Sequence, residues 1–197
     1  MPSIEKTALM GTGECAHGAG APSPWIARFA PLAPPLARVL DLACGQGRHA
    51  RFFAARGHHV VAVDREAAAL AALTGDAHIE TRALDLETGS WPLAGERFGA
   101  IVVTNYLHRP LFPYLLAALA DDGVLLYETF AHGNEACGRP SNPDFLLAPG
   151  ELLAVAARGL AVVAFEQGFV PAPSRGAVIE RLAAVGPRRP WPPPLPS

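Results

Sequence analysis

Residues 39–50, VLDLACGQGRHA, combine a carboxylate with a glycine-rich turn. Gly45, Gly47 and Ala50 fit the spacing G-x-G-x-x-A, which is typical of a turn between an apolar strand and a helix. Glycines in such a turn accept a positive φ and let a ligand approach the backbone closely. Dinucleotides bind turns of this kind, but Asp41 stands just before this one, and its charge would repel a pyrophosphate. The pattern favours a ligand that carries an ammonium group.

Further polar residues stand where predicted strands end. HHVVAVD ends at Asp64, and AHIETRALDLE contains Asp85. FGAIVVTNY ends near Thr104 and Asn105. In an open α/β sheet, ligands bind in a crevice at the carboxyl ends of the strands, so we expect these residues around one crevice.

The acidic residues also have purely structural interpretations. Asp41 could cap the helix behind the turn, and Asp64 could be an ordinary turn residue at a strand end, where Asp is common. Asp85 stands beside a second acid, Glu87, and the pair could form a solvated turn.

The elements that must position these residues alternate between strand and helix. From residue 37 to residue 130, short apolar runs alternate with segments of helical spacing, one of which, LFPYLLAALADDG, is predicted as a helix closed by Gly123. The last two runs, LAVVAFEQGFV and AVIERLAAV, are joined by PAPSRG, which is too short for a parallel crossover. We therefore predict an α/β fold: a Rossmann-like seven-stranded, mostly parallel sheet with helices on both faces and a C-terminal antiparallel β-hairpin.

Composition favours one globular domain. Of 197 residues, 50% are apolar and 17% charged, and no apolar run approaches the roughly 20 residues that span a bilayer. We predict a flexible leader over residues 1–24, a single domain over residues 25–186 and a flexible proline-rich tail over residues 187–197.

Charge and cysteine content restrict the partners and the compartment. A net charge of −2 argues against a nucleic-acid surface, which usually carries a basic stripe. The three cysteines form no C-x-x-C pair, and their odd number suits a reducing compartment. We expect a cytoplasmic protein without a metal site.

Four motifs in order carry a family resemblance. VLDLACGQGRHA, VVAVD, ALDLE and VVTNY resemble the motifs of the class I S-adenosylmethionine-dependent methyltransferases. The chain is most similar to small single-domain members of the tellurite-resistance type, over about residues 25–186. The resemblance implies an enzyme that uses S-adenosyl-L-methionine as cofactor and methylates a small molecule.

The resemblance also implies which residues bind the cofactor. The glycine turn and Asp41 would face its methionine part, Asp64 would accept hydrogen bonds from the ribose hydroxyls, and Asp85 would accept one from the adenine amino group. Arg65 and Leu86 would border the adenine, and Thr104 would lie near the methyl group. The implied cofactor-binding residues are Asp41, Ala43, Gly45, Gly47, Asp64, Arg65, Asp85, Leu86 and Thr104.

The acceptor should bind beyond the ends of the fourth and fifth strands, in TNYLHRP and YETF, and against the long segment 131–148. His108 could act as a general base, and an arginine could hold an anionic acceptor. We predict Asn105, His108 and Glu128 as catalytic residues, and Tyr106, Arg109 and Arg139 as substrate-binding residues.

Two alternative functions are open. A methyltransferase for RNA or protein would need a partner to supply a basic surface, and the chain lacks the two prolines that often follow Asp or Asn at position 105 in enzymes that methylate nucleobase amines. A module that binds the cofactor without transferring methyl is the second alternative.

Overall fold

The computed structural model describes residues 20–172 and 176–196. The predicted leader falls largely on residues 1–19, outside the described residues, as do Cys15 and part of the turn PAPSRG. The α-helices are α1 (Pro24–Phe29), α2 (Arg48–Ala54), α3 (Ala67–Leu70), α4 (Phe112–Ala118) and α5 (Glu151–Ala156). The strands are β1 (Arg38–Leu42), β2 (His59–Asp64), β3 (Ile79–Ala83), β4 (Phe98–Thr104), β5 (Leu119–Phe130), β6 (Ala161–Val170) and β7 (Ala177–Val185).

The strands form one seven-stranded sheet in the order β3-β2-β1-β4-β5-β7-β6. The first five strands in this order are parallel, whereas β7 runs antiparallel to both β5 and β6. β1 lies inside the sheet, where Leu40 is opposite Val61 of β2 and Ile101 of β4. The predicted fold class, including the C-terminal antiparallel hairpin, is confirmed.

Helices cover both faces of the sheet, and alternate residues of the central strands enter different apolar clusters. Leu40 and Leu42 pack in the cluster that includes residues of α4 and α5, and Val39 packs in the cluster of α1, α2 and α3. This alternation follows from the two-residue period of a strand. It also directs Asp41 toward the α1–α3 face, among apolar neighbours.

The helix predicted to close at Gly123 ends earlier, at Ala118, and residues 119–123 belong to β5. Leu119 pairs with Phe98 of β4, and an irregularity in the pairing then accommodates the residues before Val124. A side chain at Gly123 would lie 3.0 Å from the carbonyl oxygen of Gly99. The glycine thus serves close contact between two strands, and the prediction of a helix end at this residue is wrong.

No helix in residues 20–172 and 176–196 is long and apolar enough to cross a membrane.

Near the start of the described chain, Ser23 is already buried and caps α1 by accepting a hydrogen bond from the backbone N–H of Trp25. The division into leader, domain and tail stays a prediction.

Candidate active site

A cavity opens at the carboxyl ends of the parallel strands. Its larger lobe has a volume of about 660 Å³, and a smaller lobe of about 270 Å³ adjoins it. The two lobes share the wall made by the glycine turn, the end of β2 and the end of β4. The residues common to both lobes are Ala43, Gly45, Gln46, Asp64, Asn105 and Tyr106.

The glycines of the turn have different functions. Gly45 has φ +54°, and a Cβ built on it would meet no atom within 4 Å, so the space in front of it belongs to the cavity. Gly47 has φ +76°, but a Cβ there would lie 2.4 Å from the side chain of Leu73. Gly47 is buried and lines neither lobe, so it serves the packing between α2 and the segment after α3.

Ala43 adopts a backbone conformation that usually requires glycine. Its φ is +52°, and it lines both lobes. Asn105, at the end of β4, has φ +54° and lines both lobes as well. Left-handed non-glycine residues cost conformational energy and cluster at functional sites.

Asp64 connects the end of β2 to the glycine turn. One carboxylate oxygen accepts a hydrogen bond from the backbone N–H of Gly45 at 2.7 Å, and the other accepts one from the backbone N–H of Glu66 at 3.0 Å. A carboxylate offers about four lone-pair positions, so Asp64 can hold the turn and still accept bonds from a ligand. Asp64 is thus a turn residue that also faces the cavity.

Asp85 and Leu86, which are predicted to bind the adenine, lie after β3. Asp85 lines the larger lobe and accepts a hydrogen bond from the backbone N–H of Glu87 at 2.8 Å, while Leu86 is buried against the same lobe. Arg65 also lines this lobe, where its guanidinium lies 3.4 Å from the carboxylate of Glu66. We call one part of the cavity wall the cofactor end. It is formed by the glycine turn (Ala43–Gln46), Asp64–Glu66 and Leu84–Glu87.

Asp41 lies behind this wall and lines neither lobe. Its side chain is buried, and neither carboxylate oxygen has a hydrogen-bond partner among the described residues. Burial raises the pKa of Asp41 from 3.8 to about 7, and repulsion by Asp64 adds to the rise, while the nearby backbone amide of Ala50 and the charge of Arg48 oppose it. An unpaired buried carboxylate is costly, which leaves Asp41 in need of a proton or a donor.

His49 is a feature that the sequence analysis missed. It is buried, and its Nε2 accepts a hydrogen bond from the backbone N–H of Ser23 at 3.1 Å. The ring proton therefore sits on Nδ1, 3.4 Å from the hydroxyl of Thr104, which lines the smaller lobe. Burial lowers the pKa of His49 to about 3 and keeps it neutral. A histidine within a helix after a glycine turn carries no sequence signal that distinguishes this role.

A second part of the wall of the larger lobe, which we call the acceptor end, is mostly apolar and aromatic and adjoins the cofactor end. Tyr106 donates a hydrogen bond from its hydroxyl to Glu87 at 3.2 Å, and its carbonyl accepts one from the hydroxyl of Tyr127 at 2.9 Å. Burial and the charge of Glu87 raise the pKa of Tyr106, so the phenol stays protonated. The acceptor end is formed by Asn105, Tyr106, Leu107, Thr129, Phe130, Pro140 and Phe145.

Two of the predicted catalytic residues lie outside the cavity lining. Glu128 accepts a hydrogen bond from the hydroxyl of Ser23 at 2.8 Å and lies 3.4 Å from the guanidinium of Arg181. Its partners are therefore structural, and its neighbour Thr129 faces the cavity instead, because successive strand residues point to opposite sides. His108 is half-buried just before a 3₁₀ turn and lines neither lobe. Of the three, only Asn105 lines the cavity.

Both arginines predicted to bind substrate also lie outside the lining. Arg109 makes two hydrogen bonds to the carboxylate of Glu151, at 2.7 and 2.9 Å, and donates to the carbonyls of Asp144 and Leu146. Burial opposes ionisation of Glu151, but the bonds from Arg109 and from the backbone of Ala148 hold its pKa below its usual value. Arg109 thus fastens segment 131–148 to α5. Arg139 is exposed, and within the loop its neighbour Pro140 reaches the cavity.

Metal ligation has no support in residues 20–172 and 176–196, where no group of three or more His, Cys, Asp or Glu side chains could hold an ion. Cys44 is a free buried thiol within the turn, and burial raises its pKa.

Comparisons with known proteins agree with this architecture. Residues 39–121 match the family model described as a methyltransferase domain. TehB from Haemophilus influenzae superposes with a TM-score of 0.68 at 18% identity, over 82% of this chain and 60% of TehB. A TehB-like SAM-dependent methyltransferase from Corynebacterium glutamicum superposes with a TM-score of 0.59 at 21% identity, over 81% of this chain and 85% of that protein.

A third solved structure, 1,6-didemethyltoxoflavin-N1-methyltransferase from Burkholderia thailandensis, superposes with a TM-score of 0.57 at 23% identity, over 81% of this chain and 75% of that protein. No curated protein sequence matches the chain. The domain match over residues 39–121 and the shared fold agree with the family resemblance that the four motifs carry.

Proposed function

We propose that this chain, whose residues 39–121 match the methyltransferase domain, transfers a methyl group from S-adenosylmethionine to a small-molecule acceptor. One observation carries the proposal. The glycine turn, Asp64 and Asp85–Leu86 form one wall of a cavity at the carboxyl ends of the parallel strands of a Rossmann-like sheet.

The cofactor end fits the cofactor in shape and in chemistry. Gly45 leaves open the space that a Cβ would fill, and Asp64 has lone pairs to spare for two ribose hydroxyls. Asp85 would accept from the adenine amino group, with Leu86 and Arg65 at the ring. A larger lobe of about 660 Å³ falls in the range of ligand pockets, roughly 300–1,000 Å³.

Two of the assigned cofactor contacts act through other groups. Asp41 and Gly47 do not line the cavity, so we assign Asp41 an electrostatic effect on the cofactor's ammonium through the turn, and Gly47 the conformation of the turn. Thr104, oriented by His49, lies in the smaller lobe and would face the methionine part.

The bound cofactor would supply a sulfonium-activated methyl group, which a nucleophile attacks in line. The chain's own residues then have to position the acceptor and exclude water, and good positioning can be worth roughly 7–11 kcal/mol. Asn105 and Thr129 offer hydrogen bonds at the acceptor end, and Tyr106, Phe130 and Phe145 offer apolar contact. Arg109 acts here as a positioning residue, because it holds the loop that carries Phe145.

A small-molecule acceptor and a cytoplasmic location complete the proposal. The cavity is recessed, and 1,6-didemethyltoxoflavin-N1-methyltransferase, which shares the fold, was solved with a small-molecule ligand and S-adenosylhomocysteine. The net charge of −2 and the odd number of cysteines, without a C-x-x-C pair, support a cytoplasmic enzyme that does not act on nucleic acid.

Calorimetry tests the cofactor assignment directly. The purified full chain should bind S-adenosylmethionine and S-adenosylhomocysteine and should not bind NAD or NADP. Binding of NAD without binding of S-adenosylhomocysteine would contradict the proposed function. If the chain binds the cofactor and methylates RNA or protein but no small molecule, the acceptor is a macromolecule and the proposed acceptor class is wrong.

A further inference from the structure

The acceptor end contrasts in charge with the rest of the cavity. Its seven lining residues include no carboxylate, guanidinium, ammonium or imidazole group. Five of them are apolar or aromatic, and the other two, Asn105 and Thr129, are uncharged. A molecule bound there meets apolar and aromatic surface, two neutral hydrogen-bonding side chains, and a tyrosine whose hydroxyl donates to Glu87.

Three arginines near the cavity do not belong to the acceptor end. All three nitrogens of the Arg109 guanidinium donate hydrogen bonds to Glu151 or to loop carbonyls. Arg65 lies at the cofactor end beside Glu66. Arg139 is exposed and does not line either lobe.

The charges that do line the larger lobe are mainly negative. Among residues 20–172 and 176–196, the lobe is lined by four carboxylates, of Asp64, Glu66, Asp85 and Glu87, and by one guanidinium, of Arg65. A cleft with one predominant sign of charge repels ligands of that sign and attracts the opposite one. This field suits a cationic cofactor and disfavours an anionic acceptor.

A protonated amine is also a poor acceptor at this site. Its nitrogen has no free lone pair, and none of the seven residues that form the acceptor end in the described part of the chain carries an imidazole or a carboxylate to remove the proton. The hydroxyl of Tyr106 is held protonated and donates to Glu87. The nucleophile must therefore arrive with its lone pair free.

We infer that the acceptor end binds an uncharged, flat apolar molecule whose nucleophilic nitrogen or sulfur carries a free lone pair at neutral pH, and that it does not bind an oxyanion. The inference rests on the proposed function. The acceptor's lone pair forms the bond to the methyl carbon as the carbon–sulfur bond breaks, and the electron pair of that bond returns to sulfur. The positive charge passes to the acceptor, and no proton has to leave.

Phe145 and Phe169 allow a matched comparison between an exposed ring that lines the acceptor end and one that does not. Phe145 is 51% exposed and lines the larger lobe, whereas Phe169 is 60% exposed on β6 and does not line it. Removal of either ring should cost little stability, because both are largely solvated. Only the ring of Phe145 can contact an acceptor in the cavity.

The test uses the full chain saturated with S-adenosylhomocysteine, after calorimetry has shown that this compound binds. Ligand-observed NMR then compares quinoline, which is neutral, with 2-naphthoate, an anion of similar shape. Quinoline should bind about tenfold more tightly, and Phe145→Ala should weaken it several-fold, up to about tenfold, without changing S-adenosylhomocysteine affinity. Phe169→Ala should change neither the affinity for quinoline nor that for S-adenosylhomocysteine. Phe145→Arg should shift the preference toward 2-naphthoate.

Each opposite result has a distinct meaning. Equal or tighter binding of 2-naphthoate overturns the inference, as does unchanged quinoline binding in Phe145→Ala. With S-adenosylmethionine, quinoline should be methylated faster than tellurite, and the reverse order also overturns it. Failure to bind S-adenosylhomocysteine would instead overturn the proposed function.

Discussion

The cofactor end and the acceptor end line the same cavity but are built differently. At the cofactor end, the wall consists of the first residues after β1, β2 and β3, and a carboxylate–amide bond from Gly45 to Asp64 links two of these strand ends. At the acceptor end, the wall combines residues at the ends of β4 and β5 with Pro140 and Phe145 from a long loop. Arg109 and Glu151 hold that loop from behind.

The difference shows where charge is used in this molecule. At the cofactor end the acidic side chains face the cavity, but behind the acceptor end Arg109 bonds to Glu151 and to carbonyls of the loop, and apolar side chains line the cavity. Changes at one end should therefore affect cofactor binding or the pH dependence of stability, and changes at the other should affect loop order and acceptor binding.

The largest expected effect is that of Asp41 on the pH dependence of the free energy of unfolding. The ordinary pKa of an aspartate, as in the unfolded chain, is 3.8, whereas that of Asp41 in the folded chain is about 7, so between these pH values the folded state holds a proton that the unfolded state has lost. Stability should fall as pH rises across this window, by roughly 4 kcal/mol at about 1.4 kcal/mol per pKa unit. Urea unfolding between pH 4.5 and pH 8 measures it, and Asp41→Asn should remove most of the dependence. Asp76→Asn, a change on the surface, should not, and an unchanged pH profile in Asp41→Asn would show that another group causes it.

Gly45→Ala should be next in size. A Cβ would project into the space where we place the cofactor, so we expect S-adenosylhomocysteine affinity to fall on the order of 100-fold. Gly75→Ala is the matched control, because Gly75 also has a positive φ, of +96°, and open space around it, but does not line the cavity. Calorimetry on both variants separates backbone strain from ligand contact, and equal losses would mean that Gly45 does not contact the cofactor.

Asp64→Ala should weaken cofactor binding by about 10- to 100-fold, since a hydrogen bond to a charged group contributes ~1.5–3 kcal/mol. The variant also removes the bond that holds the Gly45 amide. Asp76→Ala is the control, because Asp76 makes a similar local bond to the backbone of His78 on the surface. A well-folded Asp64→Ala protein that binds S-adenosylhomocysteine normally would exclude Asp64 as the ribose ligand.

Arg109→Ala should give the smallest effect and should act on the acceptor end alone. Loss of the partly exposed pair with Glu151 and of two bonds to carbonyls should cost about 1–2 kcal/mol of stability and increase hydrogen exchange in residues 143–148. Cofactor affinity should not change. Arg97→Ala, which removes an exposed pair with Asp121, should leave this exchange unaltered. If loop exchange is the same in both variants, Arg109 does not hold the loop.

Local patterns predicted the fold and most of the cofactor end. Apolar runs of strand length, the glycine spacing and the short final turn correctly predicted the sheet and its antiparallel hairpin. Asp64 is the last residue of β2 and Asp85 follows β3, and in a parallel sheet the carboxyl ends of all strands lie at the same edge. Their placement around one cavity therefore follows from strand order alone.

The acceptor end could not be predicted in the same way, because it depends on which partner each charged side chain finds. Glu128 meets Ser23 and Arg181, and Arg109 meets Glu151, 42 residues away. In the sequence these residues looked available for catalysis or for substrate, because nothing in their local pattern records a distant partner.

The mostly parallel sheet, its antiparallel hairpin and the residues at the ends of its strands could be predicted from the sequence, because they depend on short-range periodicity and turn length. The tertiary structure decided which of those side chains remain free. In the folded chain Asp41 is buried without a hydrogen-bond partner among the described residues, and Gly47 packs against Leu73. His49 lies between Ser23 and Thr104, and one cavity has both an apolar and an acidic part of its wall. The physical reason is that hydrogen bonds and ion pairs are satisfied in space, between segments that lie far apart along the chain.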